Sequence, residues 1–352
     1  MKKTISLLLA LVLSLGVFAV ALADSYEIAM ITDIGTIDDK SFNQSTWETI
    51  KAYGDANGKT YNYYQPSAQS TEIYLERIDQ AVSDGAKVIV TPGFLFEEPI
   101  YIAQDKYPDV NFVLIDGNPH SADYSEFRTE KNAVGMVFAE EQSAFLAGYA
   151  AVKDGYTKLG FMGGMAVPAV VRFGYGFVQG ADYAAKELGL TDVSVNYYYT
   201  GGFDATPEAQ AMASSWYNDG VQVIFACGGA VGNSVMAAAE ATGNKVIGVD
   251  KDQSSESPTV ITSAMKDIAY GVTTTLTAFF DGKFPGGESW VLGADTHSVQ
   301  LPMATSKFEK FTQADYDAIY AKLASGEVAP QKDVVASATE LNPEIVKVNL
   351  IG

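Results

Sequence analysis

"YEIAMITDIGTIDDKSFNQSTWETIKAYGD", residues 26–55, contains the repeat unit of the whole chain. Its first part, "YEIAMIT" (26–32), is a nearly continuous apolar run of strand length. Such runs belong to strands covered on both faces, since a half-solvated strand alternates apolar and polar positions. An acidic loop follows, with Asp33, Gly35, Asp38 and Asp39. The third part, "SFNQSTWETIKAYGD", has helix length, with Ser41 as expected N-cap and Gln44 at capping-box spacing. Strand, loop and helix in this order make half of a parallel β-α-β unit.

The unit recurs. Further strands are expected at "KVIVTP" (87–92), "NFVLID" (111–116), "NAVGMVF" (132–138), "KLGFMGG" (158–164), "VSVNYYY" (193–199), "VQVIFAC" (221–227), "KVIGVD" (245–250) and "TVITSA" (259–264). Between them lie helix-length segments such as "TEIYLERIDQAVSDG", "EEQSAFLAGYAAVKDG", "FGYGFVQGADYAAKELG", "TPEAQAMASSWYNDG" and "GNSVMAAAEATG". Several end in glycine, a common helix stop. Alternation of this kind predicts an α/β fold with parallel sheets and right-handed crossovers. The series runs to about residue 137 and starts afresh at Lys158, so two sheets are expected. At 352 residues the chain is long enough for two cores.

Ligands of open parallel sheets bind beyond the carboxyl ends of the strands. Seven polar or glycine-rich pieces stand there: "TDIGTIDDKSF", "TPGFLF", "IDGNP", "MGGMAVPAV", "YYTGGFD", "ACGGA" and "GVDKDQ". Two facing lobes would gather them in one cleft that closes by a hinge.

Composition removes several function classes. A net charge of -20 argues against nucleic acid and against adhesion to anionic membranes. Lys2 and Lys3, the apolar run to Ala23 and the small-x-small end "ALA" form a secretory signal pattern, with cleavage expected after Ala23. Cys227 is the sole cysteine and is expected to be a small buried residue. His120 and His297 are too few for a zinc cluster or a His-dependent triad. No metal and no cofactor are expected. Neither GxGxxG nor GxxxxGK[ST] occurs at a strand end, which disfavours a phosphate cradle.

Some residues allow two readings. The aspartates of 33–39 can cap or solvate a turn, coordinate a metal, or serve acid–base chemistry. Phe42 can be a core or staple residue. It can also pair with Phe203 of "YYTGGFD" to sandwich a planar ring, where stacking is worth about 1–3 kcal/mol. Asn43 can offer a base edge both donor and acceptor. Asp250 and Lys266 can cap and solvate, or hold sugar hydroxyls.

"TDIGTIDDKSFNQSTWETI", "VIVTPGF", "NFVLIDG", "NAVGMVFAEEQSAFLAGYAA", "KLGFMGGMAVPAVVRFGYGFVQGADYAA", "GVDKDQ" and "TSAMKD" follow in an order that resembles the basic membrane protein family of ABC-transporter solute-binding proteins. The resemblance covers nearly all of the chain beyond residue 23. It implies a two-lobed periplasmic-binding-protein fold of type I, no catalysis, and capture of a purine nucleoside for a membrane permease. Phe42 and Phe203 would stack on the base, and Asn43 and Asp116 would contact its edge. Asp250 and Lys266 would hold the ribose hydroxyls, Asp33 would lie near the cleft, and Gly228 and Gly229 would admit close backbone approach. Many family members carry a lipid-bearing cysteine after the signal segment. Asp24 stands there, so a free exported protein is expected; the periplasm is the expected compartment, and a monomer the expected state. The implied lobes are 24–137 with 251–290, and 138–250 with 291–352, with crossings near 138, 250 and 290. A sugar or autoinducer-like polyol as solute, and an exported nucleoside hydrolase, are the alternative readings.

Overall fold

The computed structural model describes residues 25–333 and 335–351. The signal segment lies outside the described residues. In chain order the first lobe begins with β1 (Ile28–Ile31), α1 (Phe42–Asn57), β2 (Tyr61–Tyr64), α2 (Thr71–Ser83), β3 (Val88–Pro92), α3 (Glu97–Lys106), β4 (Asn111–Ile115) and β5 (Ala133–Phe138). The second lobe carries α4 (Glu140–Asp154), β6 (Lys158–Gly163), α5 (Pro168–Leu188), β7 (Val193–Tyr199), α6 (Pro207–Asn218), β8 (Val223–Cys227), α7 (Val231–Thr242), β9 (Lys245–Asp250) and β10 (Val260–Lys266). There follow α8 (Ile268–Phe280), β11 (Ser289–Leu292), β12 (Val299–Gln300), α9 (Gln313–Ala324) and β13 (Val346–Leu350).

The strands form two sheets, ordered β11-β5-β4-β3-β1-β2 and β12-β10-β9-β8-β6-β7-β13. Among the described residues every pairing is parallel except β10 with β12. Their continuous apolar runs are accounted for by cover on both faces. Ala29, Ile31, Ile89 and Leu114 of the first sheet pack in one buried cluster with Tyr74, Ile78 and Ile100 of α2 and α3. Ile28, Met30, Val90 and Val113 face the other way, into a cluster that also holds Ile50 of α1 and Val272 and Leu276 of α8. That cluster continues through Phe138 into α4, α5 and the second sheet, so one apolar body runs through both lobes.

The chain crosses between lobes three times: after β5, after β10 and after β11. The crossings are tied to one another and to their surroundings. Ala139 N donates to Leu292 O at 2.9 Å, Ala294 N to Gln142 Oε1 at 2.8 Å, and Asp267 N to Ser298 O at 2.8 Å. Here the sequence expectation needs correction. Residues 251–266 do not join the first lobe, because β10 pairs with β9 in register Ala264↔Val249 and Met265↔Asp250. The second crossing therefore falls at Asp267 and not near 250. An apolar run announces a strand, but the sheet it joins depends on which edge stands open, here that of β9. The elements β2, β11, β12, β13, α3, α8 and α9 are likewise additions to the expected set. In α8 the run "VTTTLT" is rich in β-branched residues, which masks a helix held by tertiary burial.

Helices α4 and α5 pack closely enough to exclude side chains. A Cβ on Gly180 would lie 2.0 Å from the Phe145 carbonyl oxygen, and one on Gly176 would lie 2.1 Å from that of Glu141. Backbone is the obstacle in both cases, so the helices would have to part. Gly180→Ala is expected to cost about 1–3 kcal/mol, as overpacking does. Urea unfolding should show a lower midpoint with an unchanged m-value.

Candidate functional site

Each of the seven strand-end pieces reaches a single cleft of about 830 Å³, counting its opening. Its walls include Asp33, Asp39, Phe42, Asn43, Asp116, Phe173, Phe203, Asp204, Gly228, Gly229, Asp250 and Lys266. All the expected site residues are therefore gathered in one place, with Phe42 and Phe203 coming from opposite lobes. The walls carry several aspartates and, as cation, Lys266.

The acidic loop is a hydrogen-bonded scaffold. Asp39 caps α1: Oδ1 accepts from Ser41 N at 2.8 Å and Gln44 N at 3.1 Å, and Oδ2 from Asn43 N at 3.0 Å. Ser41, the expected cap, makes no side-chain cap bond. Gln44 Oε1 accepts from Lys40 N at 2.9 Å, so the expected capping box is displaced by one residue. Asn43 Nδ2 donates to Asp33 Oδ1 at 2.9 Å and to Asp39 Oδ2 at 3.1 Å, while its Oδ1 accepts from Asp33 N at 3.4 Å. Both faces of the Asn43 amide are thus used inside the loop. Asp33 Oδ1 also accepts from Gly35 N at 2.6 Å. Burial pushes the Asp33 carboxyl up to about 6, against the pull of these hydrogen bonds.

A second cluster is built around Lys266, at the carboxyl end of β10. Its Nζ lies 2.6 Å from Asp116 Oδ2, 3.4 Å from Asp250 Oδ1 and 3.9 Å from Glu140 Oε1. The ammonium also stands 4.4 Å from the Phe42 ring centroid, close enough for a cation–π contact. Burial alone would lower the Lys266 pKa, but the charges of Asp116, Asp250 and Glu140 hold it above its ordinary value. Asp116 directly follows β4, Asp250 ends β9, and both share a left-handed backbone, with φ of 62° and 66°. That conformation turns each carboxylate away from its strand and, in both cases, toward the lysine. Asp116 Oδ1 is buried and has no hydrogen-bond partner.

Glu140 escaped sequence reasoning because it reads as an ordinary first-turn acid of a helix. It is 1% exposed, and neither of its oxygens has a hydrogen-bond partner. Besides Lys266, Arg172 Nη1 approaches its Oε2 at 3.6 Å, and Arg172 in turn pairs with Asp333 at 2.8 Å. Burial and the Asp116 charge push the Glu140 carboxyl up to about 8, against the opposing pull of Lys266 and Arg172. Cys227 lines the cleft, but burial holds its thiol well above the ordinary range, so no thiolate nucleophile is offered. Among the described residues no group of three or more His, Cys, Asp and Glu side chains is placed to hold a metal ion. No described helix is long and apolar enough to cross a membrane.

Comparison with known proteins agrees with this geometry. The Bmp family model, described as ABC transporter substrate-binding protein PnrA-like, matches residues 26–329. The chain is 32% identical over 282 residues to the ABC transporter nucleoside-binding protein BmpA of Lactococcus lactis, covering 74% of this chain and 76% of that one. It is 34% identical over 248 residues to Basic membrane protein A1 of Borrelia garinii, covering 69% of each. Among solved structures, an ABC transporter solute-binding protein from Aeropyrum pernix K1 superposes with a TM-score of 0.76 at 25% identity, over 91% of this chain and 99% of that one.

The raised carboxyls fix the sign of a pH effect. Folded Asp33 and Glu140 keep protons that the unfolded chain, with ordinary values of 3.8 and 4.5, would release. Stability of the solute-free protein should therefore fall as pH rises from about 5 to about 8. Thermal melts across that range are expected to show a declining midpoint, with Glu140→Gln flattening the upper half of the decline.

Proposed function

Because the chain belongs to the Bmp family of PnrA-like ABC transporter substrate-binding proteins, we propose that it captures a purine nucleoside between its lobes and delivers it unchanged to a membrane permease. The observation that carries this reading is one cleft combining two phenylalanines from opposite lobes with a buried carboxylate–ammonium cluster. The rings suit a planar base, and the cluster suits vicinal hydroxyls, which both donate and accept. The nucleoside-binding name of the Lactococcus relative points the same way.

On this reading Phe42 and Phe203 clamp the base. Asp33, oriented by Asn43, accepts from the base edge. The resemblance puts Asp116 at that edge as well, but its 2.6 Å contact with Lys266 favours the hydroxyl end. There its unpartnered Oδ1 offers an acceptor beside Asp250 and Lys266. Gly228 and Gly229 line the cleft and would present backbone to the solute, although the missing side chain of Gly228 also answers to the Gly164 backbone, which a Cβ would meet at 2.6 Å. The aspartates of the wall disfavour a phosphate, so nucleosides should be preferred over their 5′-monophosphates. Solute touching both lobes stabilises the closed state by its differential affinity, and the permease reads that state. The working protein is taken to be a periplasmic monomer, released by cleavage after Ala23.

Calorimetric titration with inosine, guanosine, adenosine and ribose tests the reading. Nucleosides should bind far more tightly than ribose, while tight ribose binding with no nucleoside response would favour a sugar or polyol. Production of free hypoxanthine from inosine would indicate a hydrolase instead. Phe42→Ala should weaken nucleoside binding by about 1–3 kcal/mol. Asp250→Asn should weaken ribosides while sparing the free base.

A further inference from the structure

Asp250 is already held on both oxygens by protein. Lys266 approaches Oδ1 at 3.4 Å, and the Ser41 hydroxyl donates to Oδ2. Ser41 belongs to the other lobe, at the start of α1, and is completely buried. Because Asp39 caps the helix in its place, the Ser41 hydroxyl is free to bridge the cleft.

Its neighbours bridge the lobes too. Gln253 is anchored in the second lobe, where its Oε1 accepts from Val249 N at 2.9 Å and its N donates to Ser263 Oγ at 3.0 Å. Its Nε2 reaches across to the Lys40 carbonyl at 2.8 Å. Lys40 holds a φ of 61°, a conformation that side-chain-bearing residues adopt at a cost. The Lys40 ammonium meets Glu256 at 3.2 Å, and Lys251 meets Glu48 at 3.4 Å. The cross-lobe contacts run from residues 40–48 of the first lobe to residues 250–256 of the second.

We propose that Ser41 and Gln253 form a closure latch in which Ser41 is a positioning residue for Asp250. The inference rests on the reading of Asp250 as a solute-holding group. A carboxylate oxygen has two lone pairs, so Asp250 can accept from Ser41 and from a solute hydroxyl together. When the lobes part, Ser41 and Gln253 lose their partners, and Asp250 is held by Lys266 without its second support. Closure and grip on the sugar therefore reinforce each other. The latch belongs to the closed arrangement of the lobes, so its loss favours opening and speeds solute release.

The test compares the full-length mature protein with its Ser41→Ala and Gln253→Ala variants. Stopped-flow kinetics with inosine should show release about tenfold faster or more in Ser41→Ala, as for loss of one hydrogen bond to a charged group. Discrimination of inosine over 2′,3′-dideoxyinosine should shrink in the same variant. Small-angle scattering of the solute-free proteins should show more open particles for both variants. Unchanged release and unchanged scattering would overturn the latch. Tighter inosine binding by Ser41→Ala would also overturn it, since Ser41 would then compete for Asp250. Should wild-type protein ignore nucleosides, the nucleoside reading fails, while the scattering comparison still decides the latch.

Discussion

The buried ammonium of Lys266 is the interaction on which the cleft depends. A charge taken out of water costs several kcal/mol unless it is paired with good geometry. Here the partners come from both lobes: Asp116 from the first sheet, Asp250 and Glu140 from the second lobe. Lys266 also stands directly before the second crossing of the chain. Its pairing with Asp116 therefore joins the lobes beside a point where the chain passes from one to the other. Removing the lysine would leave three buried carboxyls facing one another, so its worth lies in the arrangement as much as in any single pair.

The rest of the site follows from that arrangement. Asp116 and Asp250 reach the lysine because left-handed residues end their strands, a conformation sustained by the surrounding structure. Phe42 lies under the same ammonium and lines the cleft, so the proposed base platform and hydroxyl end share a wall. Asn43, itself held by Asp39, donates to Asp33 and holds it in place. The close packing of α4 on α5 carries Glu140 and Arg172 behind Lys266, which gives the cluster a rigid back.

Much of this was legible in the residues themselves. Runs such as "KVIVTP" and "KVIGVD" disclosed doubly covered strands, and the polar pieces after them marked the cleft. Phe42 and Phe203 were legible because each follows a strand end in a glycine-bearing loop. Other features were hidden for physical reasons. The placement of β10 depends on an open sheet edge, which no local pattern records. Ser41 has the type and position of a cap, yet Asp39 outcompetes it by supplying two oxygens to three backbone N–H groups. Asn43 has the chemistry of a base reader, but its amide is spent on Asp33 and Asp39. Glu140 resembles any acid that favours a helix N-terminus, and only tertiary burial sets it against Lys266 and Arg172.

The central claim is that this cleft exists to hold a purine nucleoside. Mass spectrometry of the small molecules released on denaturing freshly purified protein addresses it without a choice of candidate ligand. A purine nucleoside is the expected released solute. A sugar or polyol, released in stoichiometric amount with no nucleoside, would contradict it.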